Sequence, residues 1–331
     1  MVRAPTVLPL LLTPVSPFSR PVPSADLPAA SVVVLLSRKA RLMFSRLRSS
    51  PRRALAALAA AVAAVTVLAG CGASSAPSSS AQTPVEFGHI HAVVPEADAT
   101  ILVGTHTGLY RVDAEGSVEG PLGGYDFDLM GLTVTDGMLI ASGHPGLDTP
   151  SELGSPNLGI IRSEDGGRSW EPVAFTGEED FHILTAGPDG QVYGIGSSSP
   201  AVQISGDSGS TWTAGSEVAA ADLAVTADGT VYAATQSGLF ASQDDAATFG
   251  LVADAPTLYL LDAAGDELVG IDTDGQLWRR SGQAAWTPIG TAEGTVAALG
   301  LAPSGVVYFV DDRGIVALDG DLAITTILPA R

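Results

Sequence analysis

The stretch PDGQVYGIGSSSPAVQISGDSGSTWT, residues 188–213, decides how the rest of the chain folds. Asp189-Gly190 is a turn pair, because glycine and aspartate tolerate the left-handed conformations that tight reversals need. VYGIGS and AVQISG are short runs of strand-forming residues, and the polar cluster between them marks a second reversal. SGDSGSTW (205–212) then turns the chain once more into a fourth run, TWTAGSE. No helical periodicity interrupts the sequence, so this segment is a strand meander.

The same unit recurs. Turn-plus-strand pieces equivalent to PDGQVYGIGS are ADATILVGTH (97–106), TDGMLIASGH (135–144), ADGTVYAATQ (227–236), AGDELVGIDT (264–273) and PSGVVYFVDD (303–312). Each follows an apolar run such as LMGLTV, HILTAG or DLAVTA. Each precedes a third strand: GLYRVD, GIIRSE, AVQISG, GLFASQ, GQLWRR or GIVALD. With Ile101, Leu139, Val192, Val231, Leu268 and Val307 as markers, the spacings are 38, 53, 39, 37 and 39 residues. Four-stranded units of about 40 residues are the mark of a β-propeller, whose ring closure protects strand edges that would otherwise aggregate. Residues 85–331 are therefore expected to form an all-β, six-bladed β-propeller. The long spacing marks an insertion, GHPGLDTPSELGSPN (143–157), placed as a loop between the second and third strands of the second unit.

The charges are unevenly placed. Nine of the 16 basic residues precede Cys71, and seven arginines against 35 acids follow it, a formal charge of −28. Such a surface repels phosphate backbones, so nucleic acid is not an expected partner. Cys71 is the single cysteine, which excludes an internal disulfide and a cysteine-based zinc site. It ends an apolar run of 17, ALAALAAAVAAVTVLAG (54–70), that follows the basic stretch MFSRLRSSPRR (43–53). This is the layout of a secretory signal peptide over 43–70, favouring the general secretion route, although the run is also at the lower length limit of a membrane span. LAGC (68–71) resembles the lipobox of bacterial lipoproteins. That resemblance implies lipidation of Cys71, an anchor on the bacterial cell membrane and an extracytoplasmic location. Residues 71–84 then form a Ser/Ala/Pro-rich flexible tether, and residues 1–42 are expected to be a gene-model extension ahead of a start at Met43.

SEDGGRSW (163–170) and SGDSGSTW (205–212) share the pattern Ser-x-Asp-x-Gly-x-Ser/Thr-Trp, and SQDDAATF (242–249) is a decayed copy. The pattern resembles the Asp-box, or BNR repeat, of sialidases and sortilin-type receptors. Its residues here, Ser163, Asp165, Gly167, Trp170, Ser205, Asp207, Gly209 and Trp212, are hairpin-forming: acid and hydroxyl bond the turn backbone, glycine turns left-handed, and tryptophan packs.

All five histidines, His89, His91, His106, His144 and His182, fall in the first three units. Alignment on the turns sets His89 opposite His182, and the topology brings all five to one face, with the Asp-boxes on the other. Asp126, Asp128 and Asp180 crowd that face. Imidazoles with carboxylates suit a divalent transition metal, Zn²⁺ or Cu²⁺, and His89, His91 and His182 are the expected ligands. HIH (89–91), DLMG (128–131), GHPG (143–146) and DFH (180–182) also resemble a family of bacterial Asp-box lipoproteins catalogued as glycosylhydrolase-like or exo-sialidase-like. That resemblance implies a glycan-cleaving site, with Asp126, Asp128 and Asp180 as the catalytic candidates. The sialidase arginine triad is not found among Arg111, Arg162, Arg168, Arg279, Arg280, Arg313 and Arg331. The expected activity is thus ligand or metal binding at a His-rich face; the alternatives are a glycoside hydrolase there and a scaffold for an envelope protein complex.

Overall fold

The computed structural model describes residues 87–330. The signal run, Cys71 and the tether lie outside the described residues, as does Arg331. Blade 1 contains β1 (Ile90–Pro95), β2 (Ile101–Thr105), β3 (Gly108–Val112) and β4 (Val118–Glu119). Blade 2 contains β5 (Asp128–Thr135), β6 (Met138–His144), β7 (Ile160–Ser163) and β8 (Glu171–Ala174). Blade 3 contains β9 (Phe181–Ala186), β10 (Val192–Gly196), β11 (Ala201–Ser205) and β12 (Thr213–Glu217). Blade 4 contains β13 (Ala220–Val225), β14 (Val231–Thr235), β15 (Gly238–Ser242) and β16 (Gly250–Leu251). Blade 5 contains β17 (Leu258–Ala264), β18 (Glu267–Asp272), β19 (Gln276–Ser281) and β20 (Thr287–Thr291). Blade 6 contains β21 (Ala298–Leu301), β22 (Val307–Asp311), β23 (Gly314–Leu318) and β24 (Ile324–Pro329).

Each blade is a four-stranded antiparallel sheet ordered from inside outward as in the sequence, so the six-bladed propeller is present. A blade has a neighbour on both faces, and its second strand is buried on both. That is why β2 and β14 are buried throughout and contain no charge. Among the described residues no helix is long and apolar enough to cross a membrane.

Every sheet is made from one continuous segment, so the ring closes through side chains and not by strand exchange. Ile90, Val93, Val103 and Tyr110 of blade 1 pack with Ala298, Tyr308, Ile315 and Leu328 of blade 6 in one apolar cluster. The innermost strands approach each other closely. A Cβ on Gly131 would lie 2.4 Å from the Phe181 carbonyl of blade 3, and one on Gly300 would lie 2.5 Å from the Val93 carbonyl of blade 1. Where the neighbour presents an N–H instead, the chain places aspartate. Asp222 Oδ2 accepts from Leu261 N at 2.8 Å, and Asp262 Oδ2 accepts from Leu301 N at 2.6 Å.

The Ser-x-Asp turns form the expected hydrogen-bond sets. Asp165 Oδ1 accepts from Arg168 N and Ser169 N at 3.0 and 2.8 Å, and Ser163 Oγ accepts from Gly167 N at 2.8 Å. Asp207 and Ser205 repeat this with Thr211 and Gly209, and Asp244 and Ser242 with Thr248 and Ala246. Their aromatic residues also serve the seam with the preceding blade. Trp170 packs with Leu102 and Leu109 of blade 1, and Gly167 sits against Leu109. Gly209, whose carbonyl accepts from Trp212 Nε1, lies against Ile160 and Ile140 of blade 2. Blade 5 lacks the motif and makes its seam differently: Arg280 Nη2 donates to Tyr232 Oη of blade 4 at 2.6 Å, and its guanidinium stacks on Tyr232 and Trp286.

Candidate functional site

A central channel of 530 Å³ is lined by the inner strands of all six blades. Its His-bearing mouth is built by a repeated irregularity. In β1 the register jumps between Ile90 and Ala92, leaving His91 as an extra, bulged residue. The same jump leaves Met130 in β5, His182 in β9, Ala221 in β13 and Tyr259 in β17. A bulge re-aims the side chain it carries, and His91, Met130 and His182 line the channel. The pairs Pro95↔Ile101, Val134↔Leu139 and Ala186↔Val192 fix the register, and His91, Met130 and His182 all lie four residues upstream of the first member. The residue equivalent to His182 is therefore His91, where the turn-based alignment puts His89.

Two further rows complete the mouth. His89, Asp128 and Asp180 stand at the entries to the first three inner strands, and His106, His144 and Ser197 at the exits of the second strands. Backbone contacts pair them as rungs. His106 N donates to His89 O at 3.1 Å, Asp128 is the Cα partner of His144, and Ser197 N donates to Asp180 O at 2.9 Å.

The side chains gather into two groups, the first within blade 1 and the second between blades 2 and 3. His89, His91 and His106 offer ligand atoms within 4.8 Å of one another, as do His144, Asp180 and His182. In the first group the ring centroids are separated by 4.8, 5.7 and 4.6 Å. His106 Nδ1 lies 2.8 Å from Asp128 Oδ2, and His91 Nε2 lies 3.4 Å from Asp128 Oδ1. In the second group, Asp180 Oδ2 lies 2.6 Å from His182 Nε2 and 3.4 Å from His144 Nε2. All five histidines share the mouth, but the trio His89, His91 and His182 divides between the groups: His106 joins the first pair, and His144 with Asp180 surrounds His182.

Burial is the main cause holding His91 far below the ordinary imidazole value, at about 4; the nearby imidazoles of His106, His89 and His182 add to it, and Asp128 opposes it. His91 is thus neutral, the form that ligates a metal, and its contact with Asp128 is not an ion pair. Burial pushes Asp180 upward, but the Ser197 hydroxyl, His182 and His144 outweigh it and hold the carboxyl below its usual value. His91 Nε2 and Asp128 Oδ1 are both buried without a hydrogen-bond partner.

Asp126 has a different task. It accepts from Asp148 N at 3.0 Å and Thr149 Oγ at 3.1 Å, which secures the inserted loop. That loop leaves β6 at His144 and carries a short 3₁₀ turn at Ser151–Leu153. Leu153 and Leu158 anchor it in the apolar cluster between blades 1 and 2. The described arginines are also engaged locally: Arg111 with Glu96, Arg162 with Glu171, Arg168 with the Asp165 carbonyl, Arg279 with the Gly305 carbonyl, Arg280 with Tyr232 and Arg313 with Asp311. Met130 escaped the sequence reading because a methionine in an apolar strand looks like core; only the bulge register reveals it.

No protein-family model matches the chain, and no curated protein matches it. Solved structures do. A streptogramin B lyase aligns with a TM-score of 0.49 at 11% identity, over 73% of this chain and 84% of that one. A virginiamycin B lyase from Staphylococcus aureus aligns with a TM-score of 0.48 at 12% identity, over 72% and 84%. An ancestral GH74 enzyme aligns with a TM-score of 0.45 at 13% identity, over 72% and 38%. At these identities the likeness is one of propeller fold alone.

Proposed function

We propose that this chain is an extracytoplasmic lipoprotein whose propeller captures a divalent transition metal, Zn²⁺ or Cu²⁺, at the His-bearing mouth. The observation that carries this reading is the convergence of all five histidines and Asp180 in two compact groups, with Asp128 against His91 and His106 of the first. Neutral imidazoles are good ligands for both ions, and carboxylates beside them orient the rings and raise their basicity. Met130 adds a polarizable thioether to the lining, a feature that favours copper. The hydrolase reading has less support, since Asp126 is committed to the loop and the described arginines to local partners.

Binding is tested by melting the purified full chain carrying Cys71→Ser, which removes the thiol as a competing ligand. A metal at one hundred times its Kd stabilises by about 2.7 kcal/mol, or about 5–10 °C for a domain of this size. The His91→Ala/His182→Ala variant is expected to lose that rise. A wild-type chain that neither retains metal on desalting nor melts later with Zn²⁺ or Cu²⁺ would end the proposal. The anchor is tested separately: wild type is expected in the membrane fraction with an acylated Cys71 N-terminus, and Cys71→Ser in the soluble fraction. An unmodified Cys71 in the membrane fraction would remove the lipoprotein reading.

A further inference from the structure

We infer that the two histidine groups are halves of one dinuclear centre that holds two transition-metal ions side by side across the Asp128–His144 rung. The inference rests on the metal-binding reading above and extends it from a site to a pair.

The repeat itself makes the pair. A histidine at the exit of a second strand meets an aspartate at the entry of the next blade twice over: His106 of blade 1 with Asp128 of blade 2, and His144 of blade 2 with Asp180 of blade 3. A bulged histidine completes each group, His91 in the first and His182 in the second. Blade 2 reaches both groups, with Asp128 against the first and His144 within the second, and these two residues are direct cross-strand partners. Paired residues of an antiparallel ladder have Cα atoms about 4.5–5.5 Å apart. The groups are therefore neighbours by construction.

A second observation points to a ligand. His91 Nε2 and Asp128 Oδ1 face each other at 3.4 Å, both buried, and neither makes a hydrogen bond. Leaving two such atoms unpaired is costly. A cation that takes a lone pair from each satisfies both, while Asp128 Oδ2 stays on His106. On the other side Asp180 Oδ2 is aimed at two imidazoles, 2.6 Å from His182 Nε2 and 3.4 Å from His144 Nε2. The first site is thus rich in nitrogen with one carboxylate, the second has two nitrogens and one carboxylate, and the strongly acidic chain offsets the added positive charge.

The test is copper titration of the full Cys71→Ser chain, with bound metal counted after desalting and electron paramagnetic resonance recorded on the loaded protein. Two Cu²⁺ per chain are expected, with dipolar broadening or a spin count below the copper content. His106→Ala and His144→Ala remove half-exposed side chains, and cooperative melting of the metal-free variants checks that both fold. Each variant is expected to bind one fewer ion and to restore an isolated copper signal. One ion per wild-type chain, or two with isolated signals, would overturn the dinuclear centre and leave the metal-binding reading standing. No bound ion would overturn both.

Discussion

Trp170→Ala is expected to lower the free energy of unfolding by about 3–5 kcal/mol, the usual range for deleting a buried indole. Trp170 is 8% exposed and packs edge-on against Phe127, with ring centroids 5.7 Å apart. Its Nε1 donates to the Gly167 carbonyl at 3.2 Å, so the indole also fixes the turn that carries it. Because Leu102, Leu109 and Leu122 of the preceding segment share the cluster, truncation opens a void at the seam between blades and not at a free surface. The decayed third turn supplies the control. Phe249 is only partly buried at the seam between blades 3 and 4, and Phe249→Ala should cost distinctly less. Urea denaturation of both variants checks the ranking, and equal midpoints would show that the intact turns add nothing to inter-blade packing.

The fold was legible because a propeller repeats its grammar: six turn-plus-strand pieces at nearly constant spacing leave little freedom of architecture. The Ser-x-Asp turns were legible too, since their hydrogen bonds close within eight residues. What the turns hold together was not. Leu102 and Leu109, which share the Trp170 cluster, lie in another repeat, and local spacing carries no information about which neighbouring face a side chain meets. The mouth was half legible. Strand direction alone brings five histidines to one edge, but their grouping depends on a bulge that inserts one residue into each of the first five inner strands. That extra residue makes His91 the partner in register of His182 and puts Met130 between them. Blade geometry then sorts His106 with Asp128 and His144 with Asp180. Asp222 and Asp262 are marked in the sequence too: an acid inside an apolar strand, as in ADLAV and LLDAA, is costly unless something compensates it.

Those two aspartates give the second large effect. Stability is expected to fall between about pH 4 and pH 7, and variants lacking the two acids to lose most of that slope. Both residues line the channel and are partly exposed to it. Burial pushes Asp222 up to about 7, opposed by the N–H groups of Leu261 and Leu223 and reinforced by Asp262; it pushes Asp262 up to about 6, opposed by Leu301 and Ala263. Between the unfolded value of 3.8 and these raised values the folded state holds protons that the unfolded state has released. Stability must then decline as pH rises through that window and level off above it; the two shifts in full amount to about 7 kcal/mol, which partial exposure to the channel reduces to about 2–4 kcal/mol. Asp165, held at about 2 by its Ser169 contacts, works in the opposite sense and adds stability that is lost only in stronger acid. The maximum therefore lies near pH 4–5. Surface acids repel one another as well and contribute a slope of the same sign, but that part is screened by salt while the channel pair is screened far less. The measurement is the urea midpoint at pH 5 and pH 8 in 0.5 M salt, for wild type and Asp222→Asn/Asp262→Asn. Each asparagine keeps one carbonyl oxygen for a neighbouring N–H and cannot ionise, so the midpoint difference should shrink even if both midpoints drop. An undiminished difference in the double variant would place the pH dependence elsewhere in the chain.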